Sequence, residues 1–240
     1  MAVKVIAHTH IVEQPETIIG TPFGDRKDWG DSSETSDLDL LAETAGRECY
    51  KAYELKNPNT KENKGYINNI LDHGHFSVLE HATVTFHVRH VSRALLLELE
   101  RHRHASFSVE SQRYVNTRVH HPKPVIPPAF RTSELSTIAE SLEKHYEKSL
   151  DLYDKAYLAA RDTGLTVKES REAARSFLLE STPVDFYYSG NIRAMRDMLG
   201  KRWSTHADAE IREFAGMILG ELKELAPNSF QDIESTPSDL

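Results

Sequence analysis

The chain has 240 residues, of which 39% are hydrophobic and 28% charged, proportions that are ordinary for a soluble globular protein with a core of its own. Its formal net charge of −8 argues against a general nucleic-acid binder, and its single cysteine excludes an internal disulfide and a cysteine-rich metal site. No apolar run approaches the roughly 18 residues of a transmembrane helix, and the N-terminal apolar stretch is too short for a signal peptide, so we expect a protein of the cytoplasm.

The first third of the chain predicts one strand, one long loop and two helices. Apolar residues alternate over 3–8, as in a strand. Residues 13–35 collect prolines, glycines and polar side chains, which is typical of a mobile loop. Helical spacing then predicts a helix from Asp37 and a second over 61–72. Cys49 falls in the first helix, and because nothing adjacent would activate its thiol, we expect a small half-buried core residue and not a nucleophile.

In the middle of the chain, the spacing of the apolar residues changes from that of a strand to that of a helix. Over 81–90, apolar and polar residues alternate, which predicts a strand with one buried and one polar face. The spacing then becomes helical from Val91 to His102, and a polar loop follows. A long helix opens at Ser133, and its stripe of leucines and tyrosines as far as Tyr157 predicts a core or a subunit interface.

The last third predicts a helix over 167–179, a strand over 184–188 and two helices over 191–202 and 207–225. We expect the acidic tail after Pro227 to be frayed. Together the elements predict an α/β chain with few strands and several long helices. A short sheet supported by long helices often completes its core by forming oligomers.

A cationic cluster stands out against the acidic composition. Residues 87–113 contain five arginines, Arg89, Arg93, Arg101, Arg103 and Arg113. Because the chain has neither GxGxxG after a strand nor GxxxxGK[ST], a phosphate would be bound by side chains and helix ends. The cluster therefore indicates a small anionic ligand, although a solvated helix end that pairs with Glu98 and Glu100 fits the same charges.

Four motifs resemble those of the flavin-dependent thymidylate synthase family. The first is Arg101-His102-Arg103, followed after seven residues by Ser111 and then by Gln-Arg-Tyr, which ends at Tyr114. The others, in chain order, are HGHFSVLEH at 73–81, SGNIRAM at 189–195 and KRWSTHADAEIR at 201–212. The resemblance extends over about 44–230, most of the chain, with agreeing spacings.

The resemblance implies a fold, an activity and an assembly. The fold is α/β (α+β), a single domain over 1–240 in which a small, mostly antiparallel sheet is flanked by long helices. The activity is the reductive methylation of deoxyuridine monophosphate (dUMP) to thymidylate. The carbon donor is 5,10-methylenetetrahydrofolate, and FAD reduced by NADPH is the hydride donor. The assembly is a homotetramer with active sites at subunit interfaces.

The resemblance also implies residue roles. The FAD contacts are His75, Ser77, Arg101, His102, Arg103, His104, Asn191, Arg193, Asp197 and His206. The dUMP contacts are Glu98, Ser111, Gln112, Arg113, Arg175 and Arg202. Arg113 and Arg175 would hold the phosphate, and Arg202 would stabilise negative charge that develops on the pyrimidine. Ser111 would also act at the reaction centre, as an orienting hydroxyl, because no general base is adjacent in sequence. No covalent nucleophile is expected.

Two positions depart from the family's commonest pattern. Val109 lies where members often carry Gln or Glu, so a nucleotide contact there would use the backbone alone. Asp197 replaces an Asn or His beside the flavin, where a carboxylate would weaken FAD binding or pair with Arg193 or Arg101. An inactive family member that keeps the fold and the flavin therefore also fits the sequence.

Two unrelated functions fit parts of the chain. The 13 histidines include the H-x-H pairs His73/His75 and His102/His104, which suit a metalloenzyme, but no HExxH is present and His102 lies between two arginines. A single-stranded nucleic-acid binder would need exposed aromatic residues interleaved with the cations, and Phe86 is predicted to face the core.

Overall fold

Four antiparallel strands form one sheet in a computed structural model that describes residues 1–11, 35–52 and 57–239. They are β1 (Ala2–His8), β2 (Thr83–Ser92), β3 (Ala105–Val109) and β4 (Pro183–Asn191), in the order β1-β2-β4-β3. The Thr9 N–H, just beyond β1, donates to the Thr83 carbonyl at the start of β2, as antiparallel pairing requires. A mixed helix and strand chain with a small antiparallel sheet is thus confirmed.

The alternation of apolar and polar residues accounts for β2. Val84, Phe86 and Val88 are 0% exposed, whereas Thr83 and Arg89 on the other face are exposed. Successive side chains of a strand point to opposite faces, so this pattern buries one face only. The predicted strands over 3–8 and 184–188 are confirmed as well, and β4 continues to Asn191.

Eight α-helices lie in the described residues. They are α1 (Asp37–Tyr50), α2 (Asn63–Asp72), α3 (Arg93–Leu99), α4 (Thr117–His120), α5 (Ser136–Asp162), α6 (Val167–Ala174), α7 (Ile192–Arg202) and α8 (Ala209–Leu225). Side-chain caps begin several of them. Ser36 accepts from the Asp39 N–H before α1, and Asn191 accepts from the Ala194 N–H before α7. The predicted helices are confirmed, although α6 ends at Ala174, and a short 3-10 helix, Arg175–Phe177, follows.

The chain divides into two compact units, each built from separate segments. Unit 1 comprises residues 1–3, 87–188 and 208–213. Its buried side chains include Tyr146, Leu150 and Tyr153 on one face of α5. Unit 2 comprises residues 4–86, 189–207 and 214–240. Its buried side chains include Ile67, Met195, Phe214 and Phe230.

Two predictions around the cationic cluster were wrong. Val91 and Ser92 end β2, and the helix begins at Arg93 because the Ser92 hydroxyl caps it by accepting from the Leu95 N–H. Ser106 and Ser108 lie in β3 and not in a loop. Both are exposed, so their polarity resembled that of a loop although the backbone is extended.

The C-terminal tail is ordered within unit 2, so the prediction of a frayed tail was wrong. Ser229 and Phe230 are 0% exposed. The Asp39 carboxylate accepts hydrogen bonds from the Asn228 N–H, the Ser229 N–H and the Ser229 hydroxyl at 2.6 to 3.0 Å. Further along, the indole N–H of Trp203 donates to the Glu234 carbonyl. These hydrogen bonds and the buried Phe230 ring keep the tail in place, although its acidic composition alone suggested that it would be frayed.

Burial corrects two further predictions. Cys49 is exposed because the buried face of α1 passes through Ala42, Glu43 and Gly46. The stripe of α5 is buried only over its middle, and Leu135 and Ile138 near its start are exposed. The predicted loop over 13–35 lies, except for Thr35, outside the described residues.

Candidate active site

Unit 1 contains a cavity of about 260 Å³ lined by two of the residues predicted to bind dUMP. These are Gln112, beyond β3, and Arg175, in the 3-10 helix after α6. The cavity also has a leucine-rich wall and charged groups, supplied by Arg93, Leu96, Leu97, Glu100, Val109, Leu178, Leu179 and Glu180. Apolar walls with a few convergent polar groups are typical of small-molecule sites.

Arg93 lines this cavity although the sequence did not single it out. It was one arginine among five in a basic run, and charge alone does not tell which guanidinium turns inward. The available signal was its place directly after Ser92, whose hydroxyl caps α3. A helix-capping serine at the end of an alternating strand marks the next residue as the first of the helix. Here that residue is Arg93.

Hydrogen bonds and charged contacts position the segment that carries Ser111, Gln112 and Arg113. The preceding residue, Glu110, donates its N–H to the Asp185 carbonyl, and both its carboxylate oxygens lie 3.0 Å from the His121 Nε2. Within the segment, the Ser111 hydroxyl accepts from the Arg113 N–H at 3.4 Å. Arg113 itself lies 3.8 Å from the Glu172 carboxylate, a long contact that leaves its guanidinium able to bind another anion.

Arg101, His102, Arg103 and His104 form the turn between α3 and β3, with Glu98 in the last turn of α3. Arg101, Arg103 and His104 are exposed, whereas His102 is 8% exposed. No ion pair joins Arg101 or Arg103 to a carboxylate of the described residues.

A second cavity of unit 1, of about 330 Å³, contains none of the predicted site residues. Arg89, His90, Glu110, His121 and Asp185 line it. Its two carboxylates are occupied, because Glu110 contacts His121 while Asp185 accepts from the Arg89 Nε and the His90 N–H. This cavity is the larger of the two, yet its polar groups are engaged with one another.

Unit 2 brings three predicted FAD residues together around a cavity of about 300 Å³. His75, Ser77 and Arg193 line it, together with Cys49 and Tyr50 at the end of α1. The rings of Tyr50 and His75 are stacked, with centroids 6.3 Å apart, and Arg193 pairs with Glu80 at 2.5 Å. A guanidinium, an imidazole and a hydroxyl beside aromatic faces suit a ligand that carries both phosphate and planar rings. The volume fits one part of a molecule as large as FAD.

The other predicted residues of unit 2 lie along α7 and just beyond it. Asn191 caps α7, Arg202 ends it half-buried, and His206 is exposed in the following turn. Asp197 contacts the Lys201 ammonium at 2.7 Å. Lys201 is one helical turn away from Asp197 and reaches its carboxylate directly.

Sequence comparisons decide the family. Residues 32–228 match the thymidylate synthase complementing protein family. The chain is 44% identical to a probable flavin-dependent thymidylate synthase of Mycobacterium phage D29, over 99% of this chain and 98% of the relative. It is 40% identical to a flavin-dependent thymidylate synthase of Corynebacterium diphtheriae, over 90% and 86% of the two chains. The chain belongs to the flavin-dependent thymidylate synthase family.

Other members agree over similar lengths. The flavin-dependent thymidylate synthase of Mycobacterium tuberculosis is 36% identical over 98% of this chain and 91% of its own. The resemblance in the four motifs is thereby confirmed at the level of the family. In the part of the chain that the structure describes, no helix is both long and apolar enough to cross a membrane.

Proposed function

We propose that this chain methylates dUMP reductively to thymidylate, with 5,10-methylenetetrahydrofolate as carbon donor and NADPH as the source of reducing equivalents. The observation that carries the proposal is the similarity to flavin-dependent thymidylate synthases over nearly the whole chain. The chain is accordingly an enzyme of the methyltransferase type. FAD, when bound, supplies the hydride chemistry, so the protein's part is to bind, orient and exclude water.

The FAD contacts in this proposal are the residues that the resemblance to the family implies. Support comes from the unit 2 cavity, where an imidazole, a hydroxyl and a guanidinium face one space. The proposed FAD contacts are His75, Ser77, Asn191, Arg193, Asp197, His206, Arg101, His102, Arg103 and His104. Exposed and unpaired guanidiniums such as those of Arg101 and Arg103 are suited to a pyrophosphate, which offers them bidentate acceptors.

The dUMP site in this proposal uses Arg113 and Arg175 for the phosphate, with Glu98, Ser111 and Gln112 orienting the nucleotide. Support comes from the unit 1 cavity, which Gln112 and Arg175 line. Arg202 would lie against the pyrimidine, where a fixed cation stabilises negative charge as it develops. The Ser111 hydroxyl would orient the substrate without forming a covalent bond to it.

The family's fold and assembly belong to the proposal too. We infer that residues 1–240 act as one functional domain, that the small sheet is flanked by the long helices, and that four chains form a homotetramer in the cytoplasm. Active sites at subunit interfaces would explain why residues of one site come from separate segments. The exposed apolar side chains of α5 support contacts between chains.

The absorbance spectrum tests the proposal directly. The protein is incubated with FAD, desalted, and measured before and after addition of dUMP. We expect a retained flavin absorbance band in the visible range that shifts when dUMP binds beside the ring. Deoxyuridine is the control ligand, because it lacks the phosphate that the arginines would hold. A colourless protein after desalting would contradict the proposal.

A further inference from the structure

Glu110 is anchored at three points directly before the segment 111–113, which carries three of the proposed dUMP contacts. Its backbone N–H donates to the Asp185 carbonyl at 3.1 Å. Its backbone carbonyl accepts from the Arg93 Nη2 at 3.0 Å. Both oxygens of its carboxylate lie 3.0 Å from the His121 Nε2. Of these three anchors, the contact with His121 joins two side chains that can each change charge.

His121 offers Glu110 a partner that is itself held in place. It directly follows α4, and its backbone N–H donates to the Thr117 carbonyl at 2.7 Å. Its own carbonyl accepts from the Tyr146 hydroxyl at 2.9 Å. His121 is 8% exposed and Tyr146 is 0% exposed, so the imidazole is packed in unit 1 and has little room to turn away. A rigid partner of this kind fixes the side chain that pairs with it.

The strength of the contact between His121 and Glu110 depends on protonation. A carboxylate can only accept hydrogen bonds, so the His121 Nε2 carries the hydrogen. A charged imidazolium makes this hydrogen bond roughly twice as strong as a neutral ring does. Because the side chains of His121 and Glu110 are 9% and 19% exposed, water and salt screen the attraction poorly. Histidine changes charge between about pH 5 and 8, so the anchor weakens as the pH rises.

Other charged and titratable groups of unit 1 surround the pair. They are the amino group of Met1, Arg89 and His90 on β2, Asp185 on β4, Arg93 on α3, His120 on α4 and Tyr146 on α5. Burial raises the pKa of Tyr146 to about 12, so it keeps its proton. Burial lowers the pKa of His90, which favours its neutral form. Since amino groups and imidazoles can titrate in the same range, the effect of His121 is isolated by comparing variants.

We propose that His121 is a positioning residue for dUMP, which through Glu110 holds the segment 111–113 in place most firmly when its imidazole is charged. The inference rests on the proposed function, in which this segment contacts dUMP, and adds a residue outside the four motifs to it. His121 does not touch the substrate in this proposal. The native chain should therefore gain dUMP affinity at acid pH from the charged pair, in addition to any effect of the nucleotide's own phosphate titration.

The test measures dissociation constants of dUMP by calorimetry at pH 6 and pH 8 in the FAD-loaded protein. The variant His121→Gln keeps a neutral donor but cannot become charged. The control His145→Gln removes an exposed imidazole of α5. We expect His121→Gln to bind dUMP at least about threefold more weakly than the native chain at pH 6, because it lacks the charge-assisted hydrogen bond, and to approach the native affinity at pH 8. His145→Gln should match the native chain at both pH values.

Glu110→Gln approaches the same pair from its other side. It removes the carboxylate charge, so we expect a similar loss of dUMP affinity at pH 6. The double variant should lose no more than either single variant, because the two side chains act as a unit. Urea unfolding is measured at the same pH values. A merely structural role would lower the free energy of unfolding but leave the ratio of the two dUMP dissociation constants as it is in the native chain.

Three results would overturn the inference. If His121→Gln binds dUMP as the native chain does at both pH values, His121 does not position the segment, and the proposed function stands. An equal loss of dUMP affinity at pH 6 and pH 8 would make the pair structural. A native chain that binds FAD but no dUMP at either pH would overturn the inference and the proposed function together. If His121→Gln does not fold, Glu110→Gln decides by the same comparison.

Discussion

At the scale of single residues, Asp185 links protonation to stability in unit 1. Burial acts to raise its pKa, but hydrogen bonds from the His90 N–H at 2.8 Å and the Arg89 Nε at 3.0 Å outweigh it. The pKa of Asp185 is therefore below its usual value. A carboxyl group with a lowered folded-state pKa stabilises the fold above its unfolded pKa of about 3.9, and that contribution is lost as the pH falls through the folded value.

We predict that Asp185→Asn removes this part of the acid dependence. The variant should be less stable than the native chain at pH 7, by up to about 1 kcal/mol for a partly exposed ion pair. The difference should begin to shrink near about pH 4 and vanish once the pH has fallen through the lowered pKa of Asp185. Urea unfolding at a series of pH values measures both effects, with Asp162→Asn, at an exposed position, as the control. A difference between Asp185→Asn and the native chain that persists unchanged at acid pH would contradict the assigned ion pair.

The thiol of Cys49 reports on the unit 2 cavity. Because it is exposed and lines that cavity, we predict that a thiol reagent modifies one cysteine per chain without denaturant. Saturating FAD should slow the reaction several-fold, since a bound ligand shields the cavity wall. The Cys49→Ser variant is the blank. Labelling at the same rate with and without FAD would contradict placing the flavin in this cavity.

Single residues also mark the limit of sequence reasoning about the site. Gln112, which stands in a motif, and Arg175, which does not, could both be named from the resemblance to the family, and they share a cavity in unit 1. Arg93 could not, because its place in the cavity wall depends on residues distant in sequence. Cys49 was assigned to the core from helical spacing alone, but that spacing does not reveal which face of a helix is covered.

At the scale of elements, the C-terminal tail is fastened by the Phe230 ring and by hydrogen bonds to Asp39. We predict that Phe230→Ala destabilises the protein by about 3–5 kcal/mol, because a fully buried aromatic side chain leaves a cavity. Urea unfolding measures the change. Glu234→Ala is the matched control in the same tail, because its side chain is exposed and should stay within about 0.5 kcal/mol. Equal stability of Phe230→Ala and the native chain would show that the tail is not held.

Periodicity predicted elements well where one face is apolar and poorly where it is not. β2 was readable because three apolar side chains alternate with polar ones. β3 was missed because Ser106 and Ser108 are exposed and only Phe107 between them packs, against Phe186 and Tyr188. The tail was misjudged for a related reason, since a few buried side chains outweigh an acidic composition.

At the scale of the whole molecule, assembly is the testable expectation. We predict a particle of four times the 27.3 kDa chain mass in sedimentation experiments. The reason is that Leu135, Ile138, Leu152 and Leu158 leave large apolar side chains exposed in unit 1, and subunit contacts would cover them. The FAD-loaded protein should be measured at several concentrations. A monomer that binds FAD and dUMP fully would contradict sites built between subunits.

The division of the chain into interleaved segments has a consequence for its synthesis. Unit 1 needs residues 208–213, and unit 2 needs residues 214–240. A growing chain on the ribosome therefore lacks part of both units until its translation is nearly finished. Neither unit can be completed as an early, independent folding step, unlike the domains of a protein whose segments follow one another in order. A premature stop codon within α7 would thus leave both units incomplete at once.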